Sequence, residues 1–166
     1  MVSNHTSFAD PLVILNGFWR RRLHILIAKE VYGGKKVRSF GLDHLGGIKI
    51  DRSALDISAI NKGIEVLSQG RPLLVFGQGY IERTGTLTAF KEGPAMIACK
   101  ANVPVLCVYN LPRRYYQAHH LYVAPLIYPS GSGRKSIREL TDAISESMKD
   151  LEEKANEEWE NGKKRD

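Results

Sequence analysis

The 166 residues suffice for about one domain with a real core, and 43% hydrophobic with 25% charged residues exclude a disordered or fibrous chain. A net charge of +6 suits an anionic partner (nucleic acid, an anionic membrane surface or an acidic substrate) without choosing among them. No apolar run reaches the roughly 18 residues a membrane-spanning helix needs, and no secretory leader is evident.

In chain order, Val2 and Ser3 read as the end of a strand, and residues 10–19 as a helix with Pro11 in its first turn. Residues 23–28 are strand-like, Gly33-Gly34 mark a turn, and residues 47–51 alternate as a short strand does. Residues 53–69 predict an amphipathic helix: Ile57, Ile60, Ile64 and Leu67 recur at helical spacing, and Gly70 follows as a stop. The continuous apolar run 72–76 predicts a buried parallel strand. A glycine-rich loop over 77–93 leads to a helix over 94–101, opened by Pro94.

Strands are expected at 103–109 and 120–126, with a linker at 129–133. Residues 136–159 predict a long helix with Ile137, Leu140, Ile144, Met148 and Leu151 on one stripe; its charged last turns, from Glu152, are expected to fray or project. Strands alternating with helices predict one α/β domain over 1–166, with a central, largely parallel sheet flanked by helices. Residues 135–166 form its C-terminal amphipathic helix and charged tail.

Four short blocks carry the chemistry. The first is Asn4-His5-Thr6-Ser7-Phe8-Ala9-Asp10. On one continuous helix a five-residue step turns about 500°, which leaves the two side chains about 140° apart. His5 and Asp10 can therefore cooperate only if His5 precedes the helix and Asp10 opens it. Pro11 favours that arrangement, because it disfavours helical geometry at Asp10 and suits the first helical position. Asp10 would then fix the tautomer of the imidazole, whose other nitrogen could take a proton from a hydroxyl. The competing reading is structural: Ser7-x-x-Asp10 also has the form of a capping box.

The second block, Gly46-Gly47-Ile48-Lys49-Ile50-Asp51-Arg52, ends a strand on an Arg that could fork onto a phosphate or carboxylate, or simply pair with Asp51 or Asp56 at the surface. The third, Phe76-Gly77-Gln78-Gly79 with Arg83-Thr84-Gly85, follows a buried strand, where backbone N–H groups of a turn can hold an anion. It is not a dinucleotide fingerprint, since the third Gly is wrongly spaced. The fourth, Val103-Pro104-Val105, reads on its own as core.

In this order and at these separations the blocks resemble the glycerolipid acyltransferases, specifically the 1-acylglycerol-3-phosphate acyltransferase family, over about two-thirds of the chain. The resemblance implies transfer of a fatty acyl group from acyl-CoA or acyl-carrier protein to a glycerolipid hydroxyl in phospholipid synthesis, foremost that of 1-acylglycerol-3-phosphate. It makes His5 the general base and Asp10 its orienting carboxylate, requires no covalent acyl-enzyme, and assigns substrate binding to Arg52, Gln78, Gly79 and Arg83. No cofactor beyond the donor is implied, and the partners are the donor, a lysophospholipid and a membrane surface. The expected location is peripheral, on the cytoplasmic face of a membrane.

Two departures bear on these expectations. The family's third block reads Phe-Pro-Glu-Gly-Thr-Arg-Ser, so its glutamate is Gln78 here and its phosphate-binding Arg is Ile81. Arg83, Thr84, Gly85, Phe90, Lys91 and Gly93 rejoin the pattern, and Arg83 or Lys91 could substitute for the lost cation. The acceptor is then expected to be either lysophosphatidate or an alcohol without phosphate; the alternative is a family member that binds acyl-CoA or lipid without catalysis. Family members also carry a segment upstream of the His block, so the chain is expected to be a fragment or to start late.

Phe18 and Trp19 beside Arg20, Arg21 and Arg22, and Arg113-Arg114-Tyr115-Tyr116, mix aromatic and basic groups as membrane-interfacial segments do. No nucleic-acid module is present, and the basic residues are dispersed. His24, His44, His119 and His120 make no metal spacing; nor do Cys99 and Cys107, which read as buried thiols of a reducing compartment.

Overall fold

The apolar runs with β-branched residues form strands, and helices return the chain between them, which is what a parallel sheet requires. The computed structural model describes residues 1–32, 46–51, 56–112 and 119–163. The elements are β1 (Val2–Ser3), α1 (Asp10–Gly17), β2 (His24–Ala28), α2 (Lys29–Tyr32), β3 (Gly47–Ile50), α3 (Ile57–Ser68), β4 (Leu73–Phe76), α4 (Glu92–Ala101), β5 (Cys107–Asn110), β6 (Leu121–Val123) and α5 (Arg134–Lys163). The sheet runs β3-β2-β4-β1-β5-β6. Every neighbouring pair is parallel except β5–β6.

The shortest strand sits between two others. Val2 is in register with Val75 on one side and Cys107 on the other. Val75 N–H donates to the Met1 carbonyl at 3.0 Å, and Val2 N–H to the Leu106 carbonyl at 2.9 Å. Two residues suffice because both ladders are shared, and the chain leaves the sheet at once into the His5 turn.

Alternation along the strands divides the core. Leu26, Ile48 and Leu73 face α3 and α4, while Val2, Cys107 and Tyr109 face α4 and α5. Ile25, Leu74, Ile27 and Phe76 point the other way, toward Ile14 of α1. Burying a side chain such as Ile14 or Leu74 fully contributes about 1.5–3 kcal/mol.

Helix boundaries follow local chemistry. Asp56 caps α3 by accepting the Ala59 N–H at 2.9 Å. α4 starts at Glu92, two residues before the expected proline; Pro94 is tolerated there because first-turn N–H groups lack helical partners. Residues 18–22 leave α1 through a 3₁₀ turn over Trp19–Arg21 and a left-handed Arg22. The expected strand 103–109 is realised as β5, with Val105 making an isolated bridge to Ile127. β6 is short and antiparallel.

The expectation that the charged turns of α5 fray or project from Glu152 does not hold, since the helix continues to Lys163 and packs on the core as far as Trp159. Ala155 is fully buried and Trp159 packs against the core, because the stripe of Leu151 continues at four-residue spacing. The Gly33-Gly34 turn, His44 and the Arg113–Tyr116 cluster lie outside the described residues.

Candidate active site

The carboxyl ends of the parallel strands meet where β1 hands over to the first turn, the usual binding edge of such sheets. His5 follows β1, the Gly77–Gly79 turn follows β4, and Asn110 ends β5. α1 begins at Asp10, so His5 stands before the helix and Asp10 opens it, as the spacing requires. His5 Nδ1 lies 3.0 Å from Asp10 Oδ2, with both residues buried. The same oxygen accepts the Thr6 N–H at 2.6 Å and the Ser7 N–H at 2.8 Å, while Ser7 Oγ accepts the Ala9 N–H. The expected capping box is only half formed: Asp10 reaches back to the Ser7 N–H, but Ser7 Oγ accepts from Ala9 rather than Asp10, and Ala9, the N-cap of α1, makes no side-chain cap.

The rest of His5 is held as firmly. Its backbone N–H donates to Gln78 Oε1 at 3.2 Å, and its carbonyl accepts the Glu82 N–H at 2.7 Å. Its ring stacks on Phe76, with centroids 4.0 Å apart. Nδ1 is taken by Asp10, so Nε2 is the nitrogen available to a substrate.

His5 lines a cavity of about 670 Å³ that is otherwise mostly apolar. α1 contributes Pro11, Leu12 and Leu15, and β2 contributes Ile25, Ile27 and Ala28. Ile81, Arg83 and Glu30 complete its polar and loop side. A space of this character suits a hydrocarbon chain whose reacting end lies at the imidazole.

The expected substrate-binding residues are dispersed. Arg83 shares the His5 cavity and is exposed. Gln78 is 1% exposed and braces the His5 turn from behind, rather than lining the cavity. Its Nε2 donates to Thr88 Oγ1 at 2.9 Å, so its polar atoms are occupied by the chain itself. A neutral amide suits the place, since it both accepts and donates where a carboxylate could only accept.

Gly79 adopts a φ of +80° and lies beside Lys91; an added Cβ there would sit 3.0 Å from Lys91 Nζ. Both line a second, smaller cavity of about 160 Å³ with Asp51 and Asp56. Lys91 thus faces a different space from His5, and among the two substitutes for the lost cation only Arg83 is at the His5 cavity. Arg52 lies outside the described residues. Glu82 caps its own loop by accepting the Thr84 N–H and hydroxyl, contacts that hold its carboxyl below the ordinary range.

Residues that sequence reasoning missed complete the site. Asn110 Nδ2 donates to Asp10 Oδ1 at 2.9 Å. Asn4 pairs with the backbone of Asn110, its Oδ1 accepting that N–H at 2.8 Å and its Nδ2 donating to that carbonyl at 2.9 Å. The available signal was a polar residue ending an apolar strand run, and another directly before His5. Burial pushes the Cys99 and Cys107 thiols up, which argues against a thiolate nucleophile. No group of three or more metal-ligating side chains occurs among the described residues, nor any helix long and apolar enough to cross a membrane.

Comparison with known proteins gives the site a context. A family model described as Acyltransferase matches residues 1–110. The 1-acyl-sn-glycerol-3-phosphate acyltransferase of Borreliella burgdorferi is 25% identical over 133 residues, covering 79% of this chain and 50% of that protein. The crystal structure of the 1-acyl-sn-glycerophosphate (LPA) acyltransferase PlsC from Thermotoga maritima superposes with a TM-score of 0.69 at 23% identity. That match covers 92% of this chain and 64% of PlsC, and it establishes the likeness of fold. The chain spans about half the length of the curated relative it matches.

Proposed function

The chain belongs to the acyltransferase family, and on that premise we propose that it moves a fatty acyl group from a thioester donor, acyl-CoA or acyl-carrier protein, to a glycerolipid hydroxyl. The foremost acceptor is 1-acylglycerol-3-phosphate, which would give the chain a place in phospholipid synthesis. The observation that carries the reading is the His5 Nδ1–Asp10 pair at 3.0 Å, beside an apolar cavity of about 670 Å³.

In this reading the acceptor hydroxyl gives its proton to His5 Nε2 as its oxygen attacks the thioester carbonyl. The C–O bond forms, the tetrahedral intermediate collapses, and the C–S bond breaks. The proton passes from His5 to the departing thiolate, so neither protein nor solvent gains or loses one. Asp10 holds the tautomer and stabilises the imidazolium formed in between. The acyl chain occupies the space between α1 and β2, and Arg83 is the cation beside it for a phosphate.

Ile81 favours a second reading of the acceptor. It lines the His5 cavity where the family pattern has an Arg, and Glu30 lines the same cavity, so a glycerolipid alcohol without phosphate is the alternative acceptor. Thiol release with palmitoyl-CoA and a panel of lysophosphatidate, other lysolipids and neutral alcohols separates the two. Acceptor-dependent release by the wild type, lost in His5→Ala, is expected. Release that survives His5→Ala sinks the mechanism, and tight acyl-CoA binding without release with any acceptor leaves a lipid-binding family member.

The reading also places the protein peripherally on the cytoplasmic face of a membrane. Phe8 in the turn before α1, Leu12 on α1 and Trp19 in the 3₁₀ turn are exposed, as are Arg20, Arg21 and Arg22. Such a surface suits anionic lipid. Salt-sensitive binding to vesicles containing phosphatidylglycerol is expected, and equal binding to neutral vesicles, or to neither, argues against it.

A further inference from the structure

We propose that Asn110 is a positioning residue of this site: its side-chain amide fixes the Asp10 carboxylate and, through it, the His5 imidazole. The inference rests on reading His5 as the general base.

Asp10 is 2% exposed, and among the described residues His5 is its one ion-pair partner. Its oxygens are unequally served. Oδ2 accepts from His5 Nδ1, Thr6 N–H and Ser7 N–H, all within the same turn. Oδ1 accepts from Asn110 Nδ2 at 2.9 Å, a donor 100 residues away at the end of β5. Three donors converging on one oxygen leave the carboxylate free to swing about its Cβ–Cγ bond. A fourth, on the other oxygen and anchored in the sheet, fixes its plane.

Asn110 is itself anchored. The Asn4 side chain pairs with its backbone N–H and carbonyl, and Asn4 directly precedes His5. The ring Asn4–His5–Asp10–Asn110 closes back on its start and ties the ends of β1 and β5 to the imidazole. The amide has one workable orientation, since flipping it would set two oxygens against each other. In that orientation Asn110 Oδ1 is buried with no hydrogen-bond partner among the described residues. An orphaned acceptor costs folding stability. The fold tolerates it while aiming the donor at Asp10, the arrangement expected of a residue kept for its effect on the carboxylate. A neutral donor also leaves the charge of Asp10 uncompensated, available to an imidazolium; a Lys or Arg would not.

Asn110→Asp tests this, because a carboxyl at position 110 can donate to Asp10 only when protonated. Two buried carboxylates sharing a site favour binding one proton. Among the described residues, the titratable side chains at the ring are His5 and Asp10; Glu30 and Arg83 share the cavity with His5, and Tyr109 faces α5 and Glu152 across the other side of β5. At about pH 8 the kcat of thiol release is expected to fall on the order of ten- to a hundredfold. KM for the thioester should stay unchanged, since Asn110 does not line the cavity. As pH falls toward about 5, kcat should recover relative to the wild type at the same pH, while Asn110→Ala should show no recovery.

Wild-type kcat at every pH, a pH-independent loss in Asn110→Asp equal to that in Asn110→Ala, or a rise in KM alone would each overturn the proposal. A second readout needs no turnover: the ¹⁵N resonances of the His5 ring at about pH 8, in Asn110→Asp against the wild type. Should the wild type release no thiol with any acceptor, the acyl-transfer reading falls and the spectrum decides alone. A shifted His5 ring in a folded variant supports the positioning role, and an unshifted one overturns it.

Discussion

The two faces of the sheet are built differently. One is covered by α3, α4 and α5, whose apolar stripes bury Leu73, Cys107, Leu140, Ile144 and Met148 almost completely. The other carries α1, with Ile14 fully buried, and leaves a cavity between that helix and β2. Stability is concentrated on the first face and the candidate chemistry on the edge of the second. The two meet at β1, whose neighbouring residues divide between the faces: Val2 belongs to the α4–α5 core, and Asn4 and His5 to the site.

That separation predicts that substitutions on the two faces fail in different ways. The largest expected effect is on the site. Asp10→Asn keeps the size of the side chain but loses the charge that holds the His5 tautomer and stabilises an imidazolium. It should lower the kcat of acyl transfer by about 10²–10⁴. A circular-dichroism melt should show the fold retained. An unchanged kcat would remove Asp10 from the mechanism.

Met148→Ala tests the opposite face. Met148 is fully buried on α5, and truncation there should cost about 2–5 kcal/mol of unfolding free energy in urea titration. The activity per folded molecule should persist. If activity fell before stability did, the two faces would be coupled more tightly than their packing implies.

Gly77→Ala probes the seam between them. A Cβ at Gly77 would lie 2.2 Å from the Phe90 ring and 3.0 Å from Val2. The overlap forces Phe90 or the loop to shift, at about 1–3 kcal/mol. Because Gln78 follows directly and braces His5, kcat should fall together with Tm, unlike in either previous variant.

The smallest effect is expected at Glu152, on the core face. Burial pushes its carboxyl up; the Leu87 N–H and the Tyr109 hydroxyl pull it back, and Glu153 adds to the rise. A carboxyl raised in the folded state contributes stability that is fully present below its ordinary value of 4.5 and lost as pH rises through the raised value. Glu152→Gln should therefore raise Tm slightly at about pH 7–8, and the gain should shrink toward pH 4. A constant difference across that range would mean that Glu152 titrates as an ordinary surface carboxylate.

Much of this arrangement was legible beforehand. The apolar run 72–76 and the stripe from Ile137 to Leu151 carry their own periodicity, so β4 and α5 follow from local pattern. The His5–Asp10 geometry was also constrained in advance, because Pro11 fixes where the helix begins. The continuation of α5 was not foreseen, since its charged turns mask the Ala155 and Trp159 that keep it on the core.

The sequence by itself determined the order of elements, the α/β class, the position of the imidazole–carboxylate pair and the resemblance to an acyltransferase, since each rests on residues close together along the chain. Only the tertiary structure decided what surrounds that pair. Gln78 lies behind His5 rather than on the wall of its cavity, Lys91 faces a second cavity, and Asn110 reaches Asp10 from 100 residues away. Those contacts depend on β1 lying between β4 and β5, and strand order is set by how helices pack across the whole sheet, which no local spacing encodes.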